Sequence, residues 1–256
     1  MTQPVLAAQL YSVREFTKTP ADIARTLARI RKMGYTSVQL SALGPIDPKE
    51  LAKLMKENGL TCCATHTWPE GLRKEAQKII DDHKTWGCSL AAISWYQPEK
   101  QDAQVWLDFA KFCSDMSQKL EAGGLHLGYH NHAHELTKWN GKTSLELMIE
   151  NTPPAFWFEI DTNLIAKGGG DPVQWIGKVK GRIPAIHLKD LSVRPDGTQK
   201  TPAIGEGNVN FPAVIEAAKS AGTQYFIVEL DPDPDARDPF VSLEISLENL
   251  HQMGLK

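Results

Sequence analysis

Val5-Leu-Ala-Ala-Gln-Leu-Tyr-Ser-Val-Arg14 is followed by Pro20-Ala-Asp-Ile-Ala-Arg-Thr-Leu-Ala-Arg-Ile-Arg-Lys-Met-Gly34. The first stretch opens on a short apolar run, which predicts a strand over 5–11. The second repeats its apolar residues at helical spacing and closes on a glycine, which predicts a helix over 20–33. This βα unit recurs. Further strands are expected over 37–40, 62–67, 90–95, 126–132, 156–162, 183–189 and 225–230. The intervening helices are expected over 47–58, 73–86, 102–122, 144–151, 171–180, 212–220 and 238–253. Eight units with short connections and one composition regime predict a closed (β/α)8 barrel, a single domain over 1–256, rather than an open doubly wound sheet. No GxGxxG follows the first strand, so the dinucleotide fingerprint is absent.

Composition narrows the function. With 41% hydrophobic and 23% charged residues the chain can bury a sizeable core. A net charge of -3 offers no basic field for a phosphate backbone, so no nucleic-acid partner is expected. Cys62, Cys63, Cys88 and Cys113 show no CxxC spacing and are expected to be buried reduced thiols. Met1-Thr-Gln-Pro leads into the apolar run without a basic segment or a long apolar core, and no stretch approaches a membrane span. A cytoplasmic location follows as an expectation, with a small-molecule partner, no membrane, and room for a homo-oligomer on exposed helices.

In such a barrel the chemistry sits where strands end and βα loops begin. Gln9 and Arg14, His66 and Trp68, His130, Asn131, His132 and Glu135, Asp161, His187, Lys189 and Asp190, and Glu229 and Asp231 all fall there. Asp161 ends the apolar run Phe156-Trp-Phe-Glu-Ile, where an unpaired carboxylate is costly; capping of a following turn is its blander reading. His187 and Glu229 likewise follow apolar runs, against the alternative of a satisfied core histidine. Strand alternation puts His130 and His132 on one face and Asn131 on the other. Exposed His134 reads as incidental. Carboxylates and imidazoles converging on one rim suit one divalent metal, Mn, Zn, Co or Mg, which would grip vicinal oxygens of a polyol or hydroxy-ketone and stabilise an enediolate. Gly168-Gly-Gly170-Asp-Pro172 lacks the lysine and hydroxyl of a phosphate loop and reads as a flexible loop opening a helix at Pro172; Gly205 to Phe211 reads equally as rim or as plain loop geometry. Trp68 and Tyr96 stand past strand ends, suited to a sugar face or to core packing. Residues 232–239 read as a polar loop.

Several motifs in order resemble the sugar phosphate isomerase/epimerase proteins of the xylose isomerase-like TIM-barrel superfamily (AP endonuclease 2-like), in particular a branch with a YHNHxxE segment. They are Gln9-Leu-Tyr-Ser-Val-Arg-Glu15, Tyr129-His-Asn-His-Ala-His-Glu135, Asp161 ahead of Gly-Gly-Asp-Pro172, Gly181-Arg-Ile-Pro-Ala-Ile-His-Leu-Lys-Asp190, Val228-Glu-Leu-Asp231 and Ser246-Leu-Glu-Asn-Leu250. The resemblance implies a Glu, Asp, His, Glu ligand set, of which Asp161, His187 and Glu229 match the last three. Glu135 is the nearest carboxylate for the first position, with His130 and His132 as alternatives. It also implies isomerisation or epimerisation of a sugar, keto-sugar, glycoside or cyclitol, or dehydration of an inosose or elimination from a keto-glycoside, through proton removal next to a carbonyl. The expected roles are Glu229 or Glu135 as base, Lys189 and His132 as donors to substrate oxygens, and Arg14 orienting a distal group, with Gln9, His66, Trp68 and His130 binding substrate. An unphosphorylated substrate is expected, since no phosphate loop lies near the last two strands. Two other readings are a non-catalytic sugar-binding barrel and a phosphodiesterase like the AP endonucleases, which the acidic net charge disfavours.

Overall fold

The structure, a computed structural model, describes residues 3–231 and 237–255. Its eight parallel strands close into a barrel. In chain order they are β1 (Val5–Gln9), β2 (Ser37–Leu40), β3 (Thr61–Thr67), β4 (Leu90–Ile93), β5 (His126–His130), β6 (Trp157–Asp161), β7 (Ala185–Leu188) and β8 (Tyr225–Val228). Each pairs with its sequence neighbours and β8 closes on β1, through Val5↔Tyr225 to Ala8↔Val228. The surrounding helices are α1 (Pro20–Met33), α2 (Pro48–Glu57), α3 (Pro69–Trp86), α4 (Ala103–Glu121), α5 (Ser144–Asn151), α6 (Thr162–Lys167), α7 (Pro172–Lys178), α8 (Phe211–Ala221) and α9 (Pro239–Gln252). The polar loop read over 232–239 lies largely outside the described residues.

Local chemistry sets the boundaries. α1 starts at a reciprocal cap, with the Thr19 hydroxyl accepting from Asp22 N–H while the Asp22 carboxylate accepts from Thr19 N–H. It stops at Gly34, whose φ of 117° a side chain would resist. β1 ends two residues before the expected Tyr11 because the Gln9 side chain accepts from Tyr11 N–H at 3.2 Å and turns the chain into a 3-10 helix, Leu10–Phe16. α3 starts at Pro69 rather than at residue 73, a proline at the first helical position being a start signal the periodicity obscured. α6 was not expected, and neither was the ribbon of Lys138–Trp139 with Lys142–Thr143, turned by Asn140 and Gly141 with positive φ. Asn-Gly is the turn such a ribbon needs. A second ribbon pairs Ser192–Val193 with Gln199–Lys200.

Two apolar layers follow from strand alternation. Outward residues such as Leu6, Val38, Tyr129, Phe158, Ile186 and Phe226 pack under the helices, including Ile23, Leu27 and Ile30 of α1. Inside the barrel a smaller cluster of Ala7, Cys63, Ala64, Ala92, Trp157, Ala185 and Ile227 fills the lower half. Trp157 is the bulk of this plug, and Gly128 on β5 makes room for it: a Cβ there would stand 2.3 Å from Trp157 Cδ2. All four cysteines are buried and free. β3 carries a bulge against β2, where Val38 pairs with Cys62 but Gln39 pairs with Ala64. Cys63 and Ala64 therefore both join the inner cluster, and the alternation beyond them is reset so that His66 points inward while Thr65 reaches the α3 side chain of His83 at 2.7 Å. Among the described residues no helix is long and apolar enough to cross a membrane.

Candidate metal centre and substrate cavity

Above the apolar plug the inward positions turn polar: Gln9, Gln39, Glu159 and His187, then Asp161, His130, Lys189 and Glu229, every one of them buried. The proton positions follow from what each group is able to donate. The Glu159 carboxylate is an acceptor, so the Gln39 amide nitrogen must face it, at 2.8 Å. The Gln39 oxygen is then left to accept from Gln9 Nε2 at 2.7 Å and from His187 Nε2 at 2.5 Å. His187 thus carries its proton on Nε2, which also lies 3.3 Å from Glu159 Oε2. Its other nitrogen, Nδ1, points at Glu229 Oε2, 2.7 Å away.

Around that nitrogen four side chains offer ligand atoms within 4.8 Å of one another: His130, Asp161, His187 and Glu229. His130 Nε2 lies 3.6 Å from Asp161 Oδ2 and 3.9 Å from Glu229 Oε2, and His187 Nδ1 lies 4.0 Å from Asp161 Oδ2. Those gaps are too long for hydrogen bonds and near the spacing of atoms around one cation, about 3.4 Å for tetrahedral ligands at ~2.1 Å. Both ring nitrogens of His130 and Asp161 Oδ2 are buried without a hydrogen-bond partner. Asp161 divides its work, because Oδ1 caps α6 by accepting from Leu164 N–H at 2.8 Å and Oδ2 is left facing the group. Buried polar atoms without partners are rare and call for an ion or water, and two imidazoles with two carboxylates fit a divalent cation.

Electrostatics point the same way. Burial raises the Asp161 carboxyl, and although Lys189 opposes it the group stands at about 6. Burial would lower His187, but Glu159 and Glu229 outweigh it and raise it to about 10. Burial, with His187 and His66, pushes His130 down to about 3. Burial would raise Glu229 and Glu159, but both are held low, Glu229 by the charges of Lys189 and His187 and Glu159 by the charge of His187 with hydrogen bonds from His187 and His66. Lys189 Nζ stands 3.7 Å from Asp161 Oδ2, 3.7 Å from Glu229 Oε2 and 2.6 Å from Asp231 Oδ1. Without a metal, one ammonium and one imidazolium face three buried carboxylates, Asp161, Glu159 and Glu229.

A cavity of about 420 Å³ opens over this group, lined by Tyr11, Ser41, Ala42, His66, Trp68, Ser94, Trp95, His130, His132, Leu164, Lys189, Glu229 and Asp231. Its size suits a small ligand. Trp68 is 60% exposed at its rim, and His132 sits edge-on to Trp95 at 4.2 Å. His66 meets Glu159 at 2.8 Å and Ser41 at 3.2 Å.

Three expected site residues stand elsewhere. Glu135 is buried behind the barrel wall, where its carboxylate accepts from Tyr129 Oη at 2.5 Å and from His132 N–H at 2.8 Å, apart from the four-residue group. Gln9 lies beneath the cavity, holding Gln39. Arg14 donates to Tyr11 O, stacks on the Tyr11 ring and lines a neighbouring cavity that shares Asp231. His134 is half-buried and bonds Tyr96 O, and Tyr96 stacks on Phe109 at 3.6 Å outside the cavity. Glu159 and Gln39 were not anticipated. Glu159, two residues before Asp161 on the same face, is as costly to leave unpaired in an apolar strand.

The sequence profile of the xylose isomerase-like TIM barrel family matches residues 27–244. Among curated proteins the chain is similar to an inosose dehydratase of Mesomycoplasma hyopneumoniae, 23% identical over 267 positions covering 90% of this chain and 88% of the relative. It is also similar to an inosose dehydratase of Geobacillus thermodenitrificans, 28% identical over 132 positions that cover 46% and 44%. Among solved structures, a sugar phosphate isomerase/epimerase from Parabacteroides distasonis superposes with a TM-score of 0.84 at 23% identity, covering all of both chains. An L-ribulose 3-epimerase gives 0.76 at 16% identity, covering 98% and 94%. At these identities the superpositions establish a shared barrel.

Proposed function

The chain belongs to the xylose isomerase-like TIM-barrel family, and from that premise we propose that it is a metal-dependent enzyme that removes a proton next to the carbonyl of a small carbohydrate, as an isomerase or epimerase. The observation that carries the reading is the set of unpartnered buried atoms, His130 Nε2 and Asp161 Oδ2, beside His187 and Glu229 under an open cavity. His130, Asp161, His187 and Glu229 would hold the metal, and Glu135 is replaced in that role by His130. A divalent cation bound there supplies a Lewis acid for the substrate's carbonyl oxygen.

The remaining work falls to the chain's own groups. Glu229 lines the cavity and is ionised, so it is the carboxylate placed to take the proton. Lys189 Nζ, held by Asp231, donates to a substrate oxygen beside it. His132 lines the same cavity, its ring available to a second hydroxyl. Gln39 and Glu159 fix the ring of His187. Trp68 offers a face to the sugar ring. Glu229 and Asp231 in the cavity wall disfavour a phosphate, which supports an unphosphorylated substrate. Dehydration is a second reading, favoured by the Lys189 ammonium only 3.7 Å from Glu229, an acid placed beside the base for loss of a β-hydroxyl.

The test is deuterium uptake from D2O by a panel of unphosphorylated ketoses, inososes and keto-glycosides with the metal-loaded protein. Uptake at the carbon next to the carbonyl, abolished in Glu229→Gln with metal retained, is the expected result. A metal-loaded protein that exchanges none of the panel refutes the reading.

A further inference from the structure

The four-residue group offers two imidazoles and two carboxylates, and this composition carries a consequence for the cation it takes. His130 comes from the last residue of β5, is buried, and turns Nε2 toward Asp161 Oδ2 and Glu229 Oε2. Neither of its ring nitrogens has a hydrogen-bond partner, so no protein group satisfies it as a core histidine. The carboxylates nearest the group are already engaged. Glu159 is occupied by Gln39 and His66, and Glu135 by Tyr129 and His132 N–H. Lys189 crowds the two that remain, standing 3.7 Å from each.

Hard cations such as Mg and Ca are held by oxygen and keep much of their water, whereas imidazole nitrogen favours the later first-row divalent metals. Resting on the metal-centre reading above, we infer that His130 makes this a mixed site of two nitrogens and two oxygens, selective for a late first-row divalent ion, Zn or Co, over Mg. With two carboxylates the bound ion is charge-balanced, which leaves Lys189 to Asp231.

Competition dialysis of the full chain with Zn, Co and Mg, together with the visible spectrum of the Co-loaded form, tests this. Wild type is expected to bind one Zn or Co per chain and to release neither to a large excess of Mg. In His130→Glu the site keeps a ligand but exchanges nitrogen for oxygen, so its preference for Zn over Mg should fall about ten- to hundredfold, with a changed Co spectrum. Proton NMR of Co-loaded wild type requires no variant, and two shifted exchangeable imidazole N–H signals are expected, one from each histidine. A single such signal, or Mg binding as tightly as Zn, overturns the inference while leaving the metal centre standing. No binding of any of the three ions overturns the metal centre as well, and a His130→Glu variant with unaltered preference removes His130 from the ligand set.

Discussion

Gly128→Ala joins the packing of the barrel to its site. The added Cβ would lie 2.3, 2.4 and 2.7 Å from three atoms of the Trp157 ring, against an ordinary carbon contact of about 3.5–4.0 Å. The ring must retreat by more than an ångström, yet Trp157 is buried among the residues of the inner plug and its Nε1 donates to His126 O at 3.0 Å. Overpacking of this kind costs about 1–3 kcal/mol, and the strained hydrogen bond adds about 0.5–1.5 kcal/mol. The loss should be about 2–4 kcal/mol, lowering Tm by roughly 4–16 °C in a chain of this size. Trp157→Ala alone should cost about 3–5 kcal/mol through the cavity it leaves. In that background Gly128→Ala should be nearly neutral, because its obstacle is gone. Urea and thermal unfolding of the two single variants and the double variant measure the coupling. A Gly128→Ala protein melting within about 2 °C of wild type, or a strictly additive cycle, would refute the account of the plug.

Glu135→Gln should retain one metal per chain, since the carboxylate lies outside the four-residue group, whereas Glu135→Ala should lose about 1–3 kcal/mol by stranding Tyr129 Oη; metal analysis and melting curves read both, and metal loss from a folded Glu135→Gln restores that residue as a ligand. Burial holds the His83 imidazole below its usual 6.5, with Nδ1 at Ile79 O and Nε2 at the Thr65 hydroxyl. The unfolded chain therefore takes up this proton first, so stability is complete above pH 6.5 and falls as pH drops below it, by at most about 1.4 kcal/mol per pH unit. His83→Gln should flatten that fall, and an unchanged slope counts against the buried neutral histidine. Trp68→Ala should leave stability within about 0.5 kcal/mol while raising KM about two- to twelvefold through lost stacking; unchanged KM removes Trp68 from the substrate face.

The barrel was legible because its signals are local and repeat: apolar runs of strand length, helical spacing, and stop residues such as Gly34. The inward face of β5 followed from alternation, which places His130 and Gly128 together. Glu135, the nearest carboxylate in the sequence for the first ligand position, stands apart from the four-residue group. A one-turn 3-10 helix, His134–Leu136, sends the chain back along the outer face, so the carboxylate meets Tyr129 instead of the barrel mouth. Glu159 and Gln39 lie within strands rather than at their ends, and their only signal in the sequence is that both interrupt apolar strands in the inward phase. α6 is only six residues long, too short for a helical period to show, and Asp161 does both things read for it, capping α6 with Oδ1 and presenting Oδ2 to the group.

A strand has a reading frame of two, and β3 shifts frame once. Its first half is read with Cys62 outward, its second with His66 inward, and Cys63 is the inserted letter. The barrel's smallest irregularity is therefore also a register mark for comparing relatives. With the same residues paired without the bulge, plain alternation from Cys62 would deliver His66 to the α3 side and Thr65 to the cavity, whereas a sequence lacking the inserted residue keeps the histidine inward. An alignment to an unbulged relative that omits the one-residue gap there exchanges interior for exterior on one side of it, and the residue at the barrel mouth should be assigned by counting back from Thr67.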